Sequence, residues 1–186
     1  MIAALFVEKH GVYSDLPSVD AWDIDRDARK YDGPWPVVAH PPCTTYCVMS
    51  NCRPYLKDRS DGGCFQFALD AVRKFGGVLE QPAFSTAFRK HGIPEPKTGH
   101  GWQRCLDGGW VCYIEQGRYG HVAKKGTWLY AFGTSELPVS RPPARHTARG
   151  AWNREGNRIK GHVSLGTPVE FRNLLCGIAA SIGDRA

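Results

Sequence analysis

The feature that most constrains the fold is a pair of short apolar runs, each halted by proline. Pro36-Val37-Val38-Ala39-His40 stops at Pro41-Pro42, and Gly77-Val78-Leu79-Glu80-Gln81 stops at Pro82. Continuous apolar runs of this length, without alternation, read as strands buried on both faces. Proline has no N–H to give to a ladder, so the chain must leave the sheet at each of these points. Ala3–Val7, Trp110–Ile114 and Thr127–Phe132 read as further strands. Between them, Ser60 or Asp61 can cap a helix running to about Phe75, with Phe65, Ala68, Leu69, Val72 and Phe75 at helical spacing and Gly76-Gly77 behind it. A short helix is expected from Ser85 to Lys90. The segment Gly11–Gly33 is acidic and turn-rich, and His91–Gly109 is irregular. Near the end, Thr167 as cap, Pro168 in the first turn and Glu170 as the partner of a capping box precede an apolar face of Phe171, Leu174, Leu175, Ile178 and Ile182. Strands alternating with helices give an α/β sheet. Ligands of such sheets bind outside the carboxyl ends of the strands, where Pro41-Pro42-Cys43 and Glu80-Gln81-Pro82 both fall.

At 186 residues the chain is expected to form one domain, 1–186. No run approaches the ~18 apolar residues a membrane span needs, and the start lacks a basic segment followed by an apolar one. The expectation is therefore a cytoplasmic protein without a membrane partner, its seven cysteines reduced. Cys43, Cys47, Cys52 and Cys64 cluster with three, four and eleven residues between them, which is not the spacing of paired zinc knuckles, so no metal is assigned. Cys112 and Cys176 lie in apolar surroundings and read as small core residues.

The net charge of +6 is unevenly placed. Between Ser140 and His162 stand Arg141, Arg145, Arg149, Arg154, Arg158 and Lys160 against the single acid Glu155, a net +5. With Trp152 among them, this stretch suits phosphate contacts and base stacking, and points to DNA as a partner.

Cys43, on a stiff loop after two prolines, is placed as a nucleophile must be. Glu80, at the end of a buried strand, is costly to explain as structure alone. Strand-Pro-Pro-Cys followed by strand-Glu-x-Pro resembles the DNA cytosine-5 methyltransferases, although position 81 is Gln where that family has Asn. The resemblance implies that Cys43 attacks C6 of a flipped pyrimidine and that Glu80 holds N3. Gln116-Gly117-Arg118-Tyr119-Gly120-His121, followed by Lys124 and Lys125, is similar to the family's Gln-x-Arg-x-Arg segment, and implies that His121 and Lys124 act as donors. The helix after Gly166-Thr167-Pro168 resembles the family's last motif. Most of the chain also resembles short phage and prophage proteins that share Ala39-His40-Pro41-Pro42-Cys43, Asp61-Gly62-Gly63-Cys64-Phe65 and Tyr119-Gly120-His121.

The resemblance implies a Rossmann-like, methyltransferase-type sheet, pared down, with helices on both faces. AdoMet is the family's cofactor, but the glycine-rich turn that cradles it is replaced here by Phe6-Val7-Glu8-Lys9-His10-Gly11, so the cofactor stays unassigned. Asp23 and Asp25 are the candidates for a ribose contact. The basic stretch, within a loop 134–163, stands in place of a target-recognition domain. The function expected is phage-type modification of a DNA pyrimidine through Cys43 attack at C6, with the group added at C5 left open. The alternative is a non-catalytic DNA-binding or host-interaction protein on the same scaffold.

Overall fold

The computed structural model describes residues 1–47, 60–134, 137–138 and 166–182. Within them is a seven-stranded mixed sheet. Its strands are β1 (Ile2–Leu5), β2 (Val19–Trp22), β3 (Val37–Ala39), β4 (Gly77–Pro82), β5 (Gln103–Arg104), β6 (Trp110–Glu115) and β7 (Gly126–Phe132). The spatial order is β2-β1-β3-β4-β7-β6-β5. The first four strands are parallel, and β7 is antiparallel to both β4 and β6. The chain goes from β1 outward to β2 and then returns to β3 on the other side of β1, which makes the β1/β3 junction a topological switch point.

Helices cover both faces. On one, α1 (Cys64–Phe75) and α2 (Thr86–Lys90) bury Phe65, Leu69, Val72 and Phe88 against Leu5, Val37, Leu79 and Tyr130. On the other, α3 (Val169–Ala180) buries Phe171, Leu175 and Ile178 against Ala4, Val38, Val78 and Leu129. Alternate residues of each strand feed the two cores. The helix expected from Ser60 or Asp61 begins at Cys64. Asp61 still serves its start, because its carboxylate accepts from the backbone N–H of Gly63 (3.1 Å) and Phe65 (2.8 Å). Ser85 caps α2 as expected.

Three expectations need correction. The turn-rich acidic segment contains β2, an edge strand of half-buried residues that shows no apolar run because it pairs on one side only. The two-residue β5 lies in the stretch expected to be irregular. No capping box forms at α3: Pro168 is extended (ψ 148°) and is itself the cap residue, and no side chain closes the cap. No helix among the described residues is long and apolar enough to cross a membrane.

Gly77 shows how tightly β4 is set beside β3. Its φ is +136°, and a Cβ there would collide with the carbonyl of Val37. Gly77→Ala is expected to cost about 3 kcal/mol of stability, the scale of a core clash that cannot relax. Urea unfolding would show it as a lowered midpoint with an unchanged slope.

Candidate active site

The carboxyl edge of the parallel strands collects the chemistry. β3 ends at Ala39, His40 follows, and the two prolines then carry the chain out to Cys43. The carbonyl of Cys43 accepts from the N–H of Tyr46 (2.9 Å) and of Cys47 (2.8 Å), which closes a tight turn. That turn is anchored from below, since the N–H of Thr86 donates to the Tyr46 carbonyl (2.9 Å). Gln81 provides a second anchor. It is fully buried, its Nε2 donates to the Pro41 carbonyl (2.6 Å), and its Oε1 accepts from Ser85 Oγ (3.2 Å).

Glu80 points to the opposite face of β4 from Gln81. Its side chain is 14% exposed, and both carboxylate oxygens are engaged. Oε2 lies 3.2 Å from His40 Nδ1, and Oε1 accepts from Gln116 Nε2 at 3.2 Å. Gln116 also donates to Thr127 Oγ1 (2.9 Å), and the Tyr13 hydroxyl lies 2.8 Å from His40 Nε2.

Cys43, Glu80 and Lys125 share one electrostatic neighbourhood. Burial pushes the Cys43 thiol up, Cys47 and Glu80 add to the rise, and Lys125 opposes it. Lys125 favours the thiolate, but desolvation outweighs it, and the resting sulfur is a thiol. Burial likewise pushes the Lys125 ammonium down, while Glu80, Cys43 and Glu8 pull it up. Lys125 Nζ donates to the Gly166 carbonyl just ahead of α3 (2.9 Å).

The two donors expected from the sequence, His121 and Lys124, are employed elsewhere. Lys124 forms an ion pair with Glu115 (2.8 Å), whose side chain is 2% exposed. His121 is buried in its own turn, with Nδ1 3.0 Å from the backbone N–H of Ala123. The successive lysines just ahead of β7 diverge: Lys124 serves a buried acid, and Lys125 acts on the thiol through its charge. Lys125, His40, Tyr13 and Gln116 complete the site. Gln116 and Lys125 lie in the segment that resembles Gln-x-Arg-x-Arg, where the resemblance implies a role for His121 and Lys124 only, whereas Tyr13 carries no signal in its own segment.

A cavity of about 470 Å³ opens at the switch point between β1 and β3, bounded by Phe6, Asp23, Ile24, Arg29, Pro42 and Cys64. Asp23 therefore faces it, whereas Asp25 pairs with Lys9 at the exposed rim. Asp23 Oδ1 accepts from the N–H of Asp25 (3.0 Å), and Ile24 is 88% exposed. The volume falls in the range of small-molecule sites. An acid for ribose hydroxyls beside an open apolar side chain fits the nucleoside half of AdoMet. Phe6 turns left-handed (φ 59°) directly after β1, at the mouth of this cavity.

Phe6, His10, Asp27, Phe84 and Lys125 are the non-glycine residues with positive φ among those described, and all five lie in connections at this one edge. Strained backbone of this kind concentrates at functional sites. Among the described residues no three His, Cys, Asp or Glu side chains stand together as metal ligands. Cys52 lies outside the described residues, as do Arg141, Arg145, Arg149, Trp152, Arg154, Arg158 and Lys160. No family model, curated protein or solved structure matches the chain.

Because the Cys43 thiol is raised, its alkylation by iodoacetamide should be slow at neutral pH and accelerate as pH rises. Lys125→Met removes the opposing cation and should slow the reaction several-fold, Glu80→Gln should speed it, and Lys124→Met should leave it unchanged. Mass spectrometry resolved to the Cys43 peptide across a pH series reads all three.

Proposed function

We propose that the chain is a nucleobase-modifying enzyme acting on DNA, on a pared-down, Rossmann-like, methyltransferase-type sheet. The observation that carries this reading is the convergence of the Cys43 thiol, the fixed Glu80 carboxylate and the Lys125 ammonium at one strained sheet edge, beside a nucleoside-sized cavity. Cys43 gives up its proton, by way of Glu80, to N3 of a flipped cytosine as Lys125 stabilises the thiolate, and a bond forms between Sγ and C6. The ring electrons displaced from C6 are held by a hydrogen bond or proton at N3 opposite Glu80, and C5 becomes nucleophilic. C5 then bonds to the electrophilic carbon of a donor as that carbon's bond to its leaving group breaks, the C5 hydrogen passes to water as a proton, and the C6–S bond breaks to restore the ring and the thiolate.

Asp23 and Ile24 would hold the nucleoside half of an AdoMet donor, which when bound supplies an electrophilic methyl group. The basic stretch between Ser140 and His162 is the reason to assign a polymer substrate, since its charge suits a run of phosphates.

Addition at C6 has a consequence that needs no donor. Once C5 is nucleophilic it can take a deuteron from D2O and lose its own proton before the thiolate departs. Cytosine- or uracil-containing single-stranded DNA incubated with the protein in D2O should therefore gain deuterium at C5. Cys43→Ser should abolish the gain, and Glu80→Gln should lower it by about 100-fold or more, the usual worth of a positioned proton donor. No exchange on either base would overturn covalent catalysis and leave the reading as a DNA-binding protein.

A further inference from the structure

The site holds a buried polar chain that thiol addition does not itself use. Tyr13, His40, Glu80 and Gln116 follow one another at 2.8, 3.2 and 3.2 Å, and they come from the β1–β2 connection, the end of β3, β4 and the turn after β6. A histidine that merely held a carboxylate would need one ring nitrogen, yet both nitrogens of His40 are engaged. The outer one meets a hydroxyl, which can donate or accept. The Tyr13 hydroxyl has no other hydrogen bond among the described residues. Burial drives that hydroxyl well above its ordinary range, so it keeps its proton. With the hydroxyl as donor, His40 Nε2 is the acceptor, and the ring hydrogen then sits on Nδ1, facing Glu80. The other groups near Tyr13, Arg172 and Cys176 of α3, act through charge, and Arg172 is itself bonded to the Val12 carbonyl (2.7 Å).

We propose that Tyr13 and His40 are positioning residues that fix which oxygen of Glu80 handles the base proton: Tyr13 holds His40 in the Nδ1–H tautomer, His40 locks Oε2 as an acceptor, and the proton exchanged with the base travels through Oε1. The inference rests on the base-modifying reading. In the step itself, as the Cys43 Sγ–C6 bond forms, the displaced electron pair arrives at N3 of a cytosine. The Cys43 S–H bond breaks, its proton is taken up at Glu80 Oε1 and passed on to N3, an N3–H bond forms, and the carboxylate restored at Glu80 is held by His40 and Gln116. With the opposite tautomer, the bare Nδ1 lone pair would face Glu80 and draw its proton to Oε2, away from the base.

The test is a double-mutant cycle, because an asparagine at position 40 can donate to Glu80 without any tautomer to set. C5 deuterium exchange into cytosine DNA would be measured for wild type, Tyr13→Phe, His40→Asn and the double variant. Tyr13→Phe should slow exchange about tenfold in the wild-type background and less than twofold in the His40→Asn background. Equal losses in the two backgrounds would make Tyr13 a packing residue and overturn the proposal, while leaving the base-modifying reading intact. No exchange by wild type would instead overturn that reading and this inference with it. Nitrogen-15 shifts of the His40 ring in the free protein give a readout that does not depend on activity. The neutral ring should carry its hydrogen on Nδ1 in wild type and lose that preference in Tyr13→Phe, and an Nε2–H ring in wild type would refute the arrangement.

Discussion

An almost buried carboxylate at the end of a central strand organises this molecule. Taking a charge out of water costs several kcal/mol unless hydrogen-bond donors replace the lost hydration. Glu80 obtains them from His40 and Gln116, and each of these is in turn held, His40 by Tyr13 and Gln116 by Thr127. Compensating one acid therefore fixes the end of β3, the turn after β6, the start of β7 and the connection between β1 and β2. The neighbouring residue completes the arrangement. Strand alternation sends Gln81 to the other face, where it ties the Pro-Pro loop to the start of α2.

The reversed strand β7 is part of the same logic. A parallel strand in that position would begin at the far edge of the sheet. Running antiparallel to β4, β7 instead begins at the carboxyl edge and brings the charge of Lys125 within electrostatic reach of the thiol. The left-handed residues gathered at this edge survive because a seven-stranded sheet determines where each connection must start and end.

Much of the frame was legible in the sequence because its signals are local. The proline stops after His40 and Gln81, the glycines behind Phe75 and the serine ahead of α2 each state a boundary within a few residues. Cys43 and Glu80 could be singled out because each stands at such a boundary. What could not be read depends on pairing. β2 has no apolar run because one of its sides has no neighbour, and β5 is two residues long because only Val111 and Trp110 oppose it. The choice between Lys124 and Lys125 was hidden for the same reason. Adjacent lysines look alike in a string, and only the buried Glu115 across the turn claims one of them. Tyr13 was invisible because its partner lies 27 positions away.

The bond from Lys125 to the Gly166 carbonyl joins the site to the chain just ahead of α3. β7 finishes at the opposite edge of the sheet, where Thr134 meets Ser181 at the far end of α3 (2.8 Å). The polypeptide between these two anchor points carries most of the protein's excess positive charge. One of its ends is thus held by the same ammonium whose charge acts on Cys43.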